Sequence, residues 1–226
     1  MVDILKFFPN DAPSLKVNLL SSDEQAIYNE AVKQFRNEKA RDSLRVPLNG
    51  SNLFKVLLLN QIGIRTCILS ELEQIVQSGN DILRSALVDT PSVVLRSYGD
   101  SFSEKNDYLA KTLAAFIKKR DFNEPIVVNG LKLVEDNKSP YGLNFDKGSN
   151  FNYFEAPQLN DLNSRKKFVK LNEQGMPIFN NEGMRTLYTS PFGLTRLYLI
   201  SHIGFHSNFG ELAASIGMGR ILVVKN

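Results

Sequence analysis

The sequence predicts an α+β protein, in which a helical N-terminal part precedes a mixed, mostly antiparallel sheet with helices. Before residue 88, apolar residues recur at helical spacing behind a capping pattern. After Asp89-Thr90-Pro91, short strand-like runs alternate with turn signals rich in Asn and Gly. We therefore expect an N-terminal helical region at residues 1–88 and a second, sheet-containing domain at residues 89–226.

Two helices are predicted in the N-terminal region. The first should begin at Ser22, where Gln25 completes a capping-box pattern, and should end before Pro47. Residues 52–62 are apolar enough for a helix or a buried strand, and periodicity does not decide between them. Residues 65–87 carry a helical apolar stripe and predict the second long helix.

The second part predicts strands around one helix. A strand is expected at 92–96, a helix at 103–119, and a strand pair or one bent strand at 125–134 around Asn129-Gly130. Further strands are predicted at 141–145, 153–155, 168–171, 177–179, 184–188 and 220–224. The turn residues 172–175 predict that 168–171 and 177–179 form a hairpin. The irregular segment 136–163 is of the kind that is commonly functional or covers a sheet.

Composition excludes several classes of function. A net charge of +3, with only the short basic clusters 118–120 and 165–167, gives no support for nucleic-acid binding. Cys67 is the only cysteine, so we expect a buried thiol and neither an internal disulfide nor a cysteine metal site. The N-terminal residues lack the pattern of a signal peptide, and the longest apolar run, 113–117, is too short to span a bilayer. Cytoplasmic location without membrane insertion is the default expectation.

A Gly-Asp-Ser sequence, Gly99-Asp100-Ser101, follows a predicted strand and precedes a predicted helix. This context resembles the first block of the SGNH (GDSL-type) hydrolases, in which the serine is the nucleophile. A serine nucleophile needs a histidine base, which that family supplies from a C-terminal Asp-x-x-His sequence. That block is missing here, because Leu199 and Ile203 stand three residues before the two histidines. The alternative interpretation is that Asp100, Ser101 or Ser103 caps the following helix.

Metal binding is not predicted. His202 and His206 have the i, i+4 spacing of half a zinc site, but no third ligand is indicated. On a strand this spacing places both side chains on one face, as surface contact groups. Oxygen-bearing residues cluster at Glu135, Asp136, Asn137, Asn144 and Asp146, without the spacing of a calcium-binding loop. Loops favour Asn and Asp in any case, so no metal and no cofactor is expected.

The segment 191–225 contains two interleaved kinds of position. The regular positions are mainly apolar or small, and include Gly193, Leu194, Leu197, Leu199, Ile203, Phe205, Leu212 and 221–224. The others follow no rule of size or polarity, although exposed positions are usually charged. These irregular positions are Thr195, Arg196, Ile200, Ser201, His202, Gly204, His206, Asn208, Phe209, Gly210, Glu211, Ala214, Ile216, Gly217 and Met218.

This C-terminal pattern resembles the variable region of proteins that are diversified by diversity-generating retroelements, most closely those of archaea and small-genome bacteria. The resemblance covers about residues 89–226, and its specific part is 185–226. It implies a C-type lectin fold with the variable region at about 190–220. In that family, copying with adenine-specific errors randomises selected codons, and the variable side chains form a solvent-facing, ligand-binding surface.

Randomisation of template codons only at their adenines (the adenine rule) accounts for the residues at most of the irregular positions. An Asn codon randomised at its adenines can encode every irregular residue except Glu211 and Met218. Those two need other template codons or are not variable. The resemblance does not imply sugar binding, because the calcium-ligating Glu-Pro-Asn and Trp-Asn-Asp motifs of carbohydrate-binding members are absent from the sequence.

The first functional hypothesis is therefore a binding protein without catalytic residues. Its irregular positions would face solvent and contact a macromolecular ligand, most simply a protein, through Arg196, His202, His206 and Phe209. The regular apolar positions would be buried anchors, each contributing about 1.5–3 kcal/mol. Arg220 is expected to hold the loop rather than to catalyse.

The alternative is an SGNH-type serine hydrolase that uses Ser101, and a further alternative is that ordinary strands surround an irregular loop. The ligand and the oligomeric state are open.

Overall fold

The computed structural model describes residues 15–17, 21–44, 50–79, 83, 85–119, 122–201, 203–208, 210–214 and 219–224. Within these ranges the protein is α+β with a mostly antiparallel sheet, as predicted. The helices are α1 (Ser22–Lys33), α2 (Glu38–Leu44), α3 (Leu53–Gln61), α4 (Leu69–Gln77) and α5 (Glu104–Phe116). The strands are β1 (Leu15–Val17), β2 (Leu87–Leu95), β3 (Ile126–Asn129), β4 (Leu133–Glu135), β5 (Leu143–Phe145), β6 (Asn152–Glu155), β7 (Lys167–Leu171), β8 (Pro177–Phe179), β9 (Arg185–Thr189), β10 (Leu194–Ile200), β11 (Gly204–Ser207), β12 (Gly219–Arg220) and β13 (Leu222–Val224).

The main sheet has nine strands in the described part of the chain. Its order is β6-β3-β2-β10-β11-β9-β7-β8, and β12 pairs with β2 beside this path. The β11–β9 and β12–β2 pairs are parallel, and the other pairs are antiparallel. Strand β10 therefore lies in the middle of the sheet, between β2 and β11, where its backbone is held on both sides.

Strand β2 contains a proline, which an interior strand normally excludes because proline has no N–H to donate. The register with β10 shifts between Val93 and Asp89, so residues 90–92 form an irregular stretch around Pro91. On the other edge, β3 pairs from Val93 onwards and β12 pairs at 87–88. Pro91 is thus placed where the ladder is interrupted on both edges.

Two apolar clusters cover the two faces of the sheet. The first joins α1, α2, α3 and α5 to β2 and β10, and includes Tyr28, Leu57, Val93, Leu113 and Leu194. The second joins α4 to the other face and includes Leu72, Val94, Leu187, Leu199 and Phe205. The expected boundary at residue 88 falls inside β2, and the helices before it share the first cluster with the strands after it.

The N-terminal helices differ from the prediction in their limits. The capping box at α1 is formed by Ser21 and Glu24 rather than by Ser22 and Gln25. The segment 65–87 is not one helix, because α4 stops at Gln77 and β2 begins at Leu87. Residues 52–62, which periodicity left open, form α3, with Asn52 as its N-cap.

The expected strand pair at 125–134 is wrong as a local hairpin. Gly130 does turn the chain, at φ +79°, but β3 pairs with β2 and β6, and β4 pairs with β5. Ile126, Val127 and Val128 are all buried. A strand that is buried on both faces lies inside a sheet and needs a hydrogen-bonded neighbour on each edge. Strands β2 and β6 provide these neighbours, whereas a local hairpin would provide only one. The predicted hairpin of β7 and β8 is confirmed, with Gly175 at φ +80° in its turn.

Candidate functional site

The β10–β11 hairpin is the centre of the candidate site. The register places Tyr198 opposite His206 and Ile200 opposite Gly204, while Ser201 turns the chain with φ +50°. The alternate residues Leu199, Phe205 and Ser207 point to the other face and are almost fully buried. The period of two along a strand therefore separates an anchoring face from a second face that contains Ile200 and His206, both partly exposed.

Three planar rings form a row across this second face. His206 stacks between Tyr188 of β9, with centroids 4.5 Å apart, and Tyr198 of β10, with centroids 5.0 Å apart. Each ring is directly opposite the next in the strand register. The Tyr198 hydroxyl donates to Asn208 Oδ1 at 2.9 Å, which ties the row to the residues after β11. Tyr188 is 37% exposed, so the row is accessible at that end.

Burial sets the charge state of the central ring. It lowers the pKa of His206 to about 4, and Nδ1 of this imidazole is buried without a hydrogen-bond partner in the described part of the chain. Gly204 leaves room for the ring, because a Cβ at that position would lie 2.6 Å from His206 Nε2. His206 is therefore a neutral, tightly packed ring near pH 7.

Arg196 continues the row at the Tyr198 end, where it is buried rather than exposed. Its guanidinium carbon lies 4.8 Å from the Tyr198 ring centroid, and its Nη1 is 3.3 Å from Asp89 Oδ2. The same nitrogen donates to the carbonyl of Ala214 at 2.7 Å. Burial raises the pKa of Asp89, and the Arg196 charge opposes that rise. The hydroxyl of Ser51 also donates to Asp89, at 3.0 Å.

A second arginine holds the opposite face of the hairpin. Arg96 donates from Nη1 to Thr195 Oγ1 at 2.9 Å, and from Nη2 to Thr189 Oγ1 and Ser207 Oγ at 2.9 and 2.8 Å. It also donates to the carbonyl of Leu159. Burial lowers the pKa of Arg96 to about 9. Thr195 is thus a partner of a buried guanidinium and is itself 2% exposed.

The segment 210–214 is tied to the body of the protein at several points. Asn106 donates to the carbonyl of Gly210 at 2.9 Å. The Tyr141 hydroxyl is bonded to Asn106 Oδ1 at 2.5 Å and also to Glu211 Oε2. Burial raises the pKa of Tyr141, and Glu211 raises it further, so the phenol is the proton donor near pH 7. Glu211 therefore fixes the segment rather than projecting freely from it.

The irregular positions divide into three groups in the structure. Five of them lie outside the described residues: His202, Phe209, Ile216, Gly217 and Met218. Three were expected to face solvent and are buried: Thr195, Arg196 and Gly204. The remaining seven are partly exposed: Ile200, Ser201, His206, Asn208, Gly210, Glu211 and Ala214. Conversely, Ile203 was expected to be a buried anchor but is 55% exposed, because it lies in the turn between β10 and β11.

The chain matches no protein-family model, no curated protein and no solved structure. No helix in the described ranges is long and apolar enough to cross a membrane. The described residues also contain no group of three or more His, Cys, Asp or Glu side chains that could hold a metal ion.

Ser101 and Ser103 have hydrogen bonds that position the chain. Ser103 is the N-cap of α5 and accepts from the N–H of Asn106, as the capping interpretation predicted. Ser101 Oγ accepts from the N–H of Leu194 at 3.0 Å, at the start of β10. Close packing surrounds it, because a Cβ on Gly193 would lie 2.4 Å from Ser101 Cα. Both serines therefore support the strand–helix junction beside the hairpin.

Sequence reasoning missed the residues that hold the hairpin. Asp89, Arg96 and Tyr188 were not singled out, although each contacts an irregular position. Arg96 ends the apolar run of β2, where an arginine is unusual unless it has buried partners. That was the available signal, but its partners are about 100 residues away and only the fold brings them together.

Proposed function

We propose that the chain is a ligand-binding protein with a C-type-lectin-like scaffold, diversified by a retroelement and without enzymatic activity. Its ligand is a macromolecule, most simply a protein. The observation that supports this best is the alternation along the β10–β11 hairpin. One face is anchored in the core and the other carries partly exposed irregular residues on a backbone held by strands on both sides.

The display surface consists of the partly exposed irregular positions other than Glu211: Ile200, Ser201, His206, Asn208, Gly210 and Ala214. Thr195, Arg196 and Glu211 belong to the frame, because their polar groups bond to Arg96, Asp89 and Tyr141. This assignment also removes one exception to the adenine rule, since Glu211 need not be variable. Rigid display favours binding because less conformational entropy is lost when the ligand docks.

Two randomised libraries test the display surface. The first varies the six display positions, and the matched control varies Thr195, Arg196 and Glu211. Substitutions at Ile200, Gly210 and Ala214 should change the free energy of unfolding by about 0.5 kcal/mol or less each, because these partly exposed positions tolerate change. Substitutions at His206 and Asn208 should cost more, because His206 stacks on Tyr188 and Tyr198 and Asn208 accepts from the Tyr198 hydroxyl. The control library should yield mostly unfolded members. Equal loss of folded members in both libraries would contradict the display surface.

Retroelement diversification has a separate, genomic test. A reverse transcriptase gene should lie near the gene for this chain, with a near-copy of the codons for residues 190–226. The two copies should differ only at adenines of the template, and mostly in the codons of the display positions. Differences spread over all bases, or the lack of a copy, would refute diversification by this route.

Binding without catalysis can be tested with a serine-reactive fluorophosphonate probe. No labelling of Ser101 is expected, because within the described residues its hydroxyl is bonded to the Leu194 N–H and not to a base that could take its proton. Labelling that disappears in Ser101→Ala would instead support the hydrolase alternative.

A further inference from the structure

A cavity of about 520 Å³ opens where the sheet is interrupted at β2. On this edge of β2, β3 pairs only with residues 93–95 and β12 only with 87–88, so the stretch between them has no strand neighbour there. Pro91 and Ser92 from that stretch form part of the cavity wall. The volume lies within the range of about 300–1,000 Å³ that is usual for small-molecule sites.

The walls are mainly apolar and come from separate parts of the chain. They include Leu57 of α3, Ile68 and Leu69 at the start of α4, Val127 of β3, Phe154 of β6, and Leu131 between β3 and β4. Leu57, Leu69, Val127 and Leu131 are almost fully buried, whereas Ile68 is 45% exposed. The deep walls are therefore fixed by the two cores, and Ile68 lies at the rim.

The polar groups of the interior are largely satisfied within the protein. Gln61 exchanges two hydrogen bonds with the backbone of Leu133, at 2.9 and 3.2 Å. Asn60 is bonded in the same reciprocal way to Thr66, at 2.9 and 2.7 Å. Both amides are therefore bonded within the protein and are not available to bind a ligand.

Asn129 is the exception among these side-chain amides. Its Oδ1 accepts from the Ser92 hydroxyl at 2.5 Å, which orients the amide. Its Nδ2 has no hydrogen-bond partner among the described residues and is left as a donor for a ligand. The charged side chains that line the cavity, Lys132 and Glu173, are exposed, so they belong to its mouth. An ionised group deep in the cavity would lose its hydration without meeting an opposite charge.

We infer that this cavity binds an uncharged, mainly apolar small molecule that accepts a hydrogen bond from Asn129 Nδ2. The site is independent of the display surface, because none of the residues that line it belongs to segment 195–214. It gives the scaffold a second ligand of a different class from the macromolecule proposed above.

Nile red, a neutral polarity-sensitive dye with a carbonyl acceptor, is a suitable probe for the full-length chain. We expect saturable binding of one dye molecule per chain, with a blue-shifted emission. Failure of the dye to bind saturably would overturn the inference.

Three variants locate the dye. Ile68→Ser removes an apolar side chain from the rim of the cavity. Ile68 is the N-cap of α4, so a serine there forms a capping box with Glu71 and the variant should still fold. It should weaken binding about tenfold, because roughly 1.4 kcal/mol of apolar contact is removed.

Ser70→Trp, which fills the cavity, should abolish binding. Asn129→Asp keeps the acceptor for Ser92 but loses the donor and adds a charge, and should weaken binding at least tenfold.

Matched controls change residues that do not line the cavity. Leu162→Ser makes the same kind of change at a residue that is 86% exposed, and Ser22→Trp matches the tryptophan at an exposed position. Both should bind the dye like the unmodified chain. If Ile68→Ser, Ser70→Trp and Asn129→Asp also bind normally while their thermal unfolding is unchanged, the dye lies elsewhere and the cavity is not the site.

Discussion

Arg196 connects three parts of the site through one guanidinium. It contacts the Asp89 carboxylate on β2, the Tyr198 ring on β10 and the carbonyl of Ala214 in the following loop. Both members of the Arg196–Asp89 pair are buried. A buried pair contributes little net stability as a pair, but removing one partner leaves an uncompensated charge. Position 196 is therefore poorly suited to free variation.

We predict that Arg196→Met lowers the free energy of unfolding by up to about 3–5 kcal/mol, because the buried Asp89 then loses its guanidinium partner and keeps only Lys55 as a nearby cation. Urea denaturation at pH 7 measures this change. The double variant Asp89→Asn/Arg196→Met should recover part of the loss, since the unpaired charge is gone. An Arg196→Met variant as stable as the unmodified chain would return this residue to the display surface.

His206 should make stability depend on pH. Its pKa in the folded protein is about 4, below the ordinary value of 6.5, because burial disfavours the cation. The unfolded chain therefore binds the proton more tightly. The stabilising effect is complete above pH 6.5 and is lost as pH falls from 6.5 towards 4. Between pH 7 and 5 the loss is up to about 2 kcal/mol.

The variant His206→Gln isolates this effect, since the other titrating groups are common to both proteins. Urea unfolding at pH 7 and pH 5 should show a smaller loss in the variant, by up to about 2 kcal/mol. Equal pH dependence in the two proteins would mean that the ring is hydrated and not packed between Tyr188 and Tyr198.

At the scale of elements, the contrast between Gly193 and Gly210 tests which positions belong to the frame. Gly193 has φ +76°, and a Cβ there would lie 2.4 Å from Ser101 Cα. A Cβ on Gly210 would meet nothing within 4 Å. The regular position is thus sterically required to be glycine, whereas the irregular one is open.

We predict that Gly193→Ala lowers the free energy of unfolding by about 1–3 kcal/mol, through the clash and the left-handed backbone. Gly210→Ala should be close to neutral. Differential scanning calorimetry of the two variants makes the comparison. Similar destabilisation by both would contradict the division into frame and display positions.

Elements that depend on neighbouring residues were predicted well. Helix α5 with its Ser103 cap and the β7–β8 hairpin follow from capping and turn chemistry within a few residues. The pairing of β3 with β2 could not be predicted, because it depends on packing from distant parts of the chain: Val128 lies in the first apolar cluster and Val127 in the second. The same limit explains why 65–87 was not recognised as α4 followed by β2.

At the scale of the whole molecule, the helices before β2 and the strands after it form a common core. Tyr28, Leu44 and Leu57 belong to the same apolar cluster as Leu95 and Leu113. Removing the helices would expose the apolar face of β2 and of α5. The N-terminal region therefore supports the sheet that contains the β10–β11 hairpin.

We predict that residues 89–226 expressed alone do not unfold cooperatively, whereas the full chain unfolds in one transition. Urea titration followed by near-ultraviolet circular dichroism distinguishes the two cases. A cooperative transition in the fragment would restore the boundary at residue 88 as a true domain limit.

The sequence by itself determined the α+β class, the Ser103 cap of α5, the turn between β7 and β8, and the pattern of two interleaved kinds of position in segment 191–225. These features depend on residue type and on contacts within a few residues. Only the tertiary structure decided which irregular positions face solvent, because the hydrogen-bond partners of Thr195 and Arg196 are Arg96, directly after β2, and Asp89 of β2, about 100 residues earlier in the chain. Burial depends on what packs against a strand, and the alternation along a strand does not contain that information.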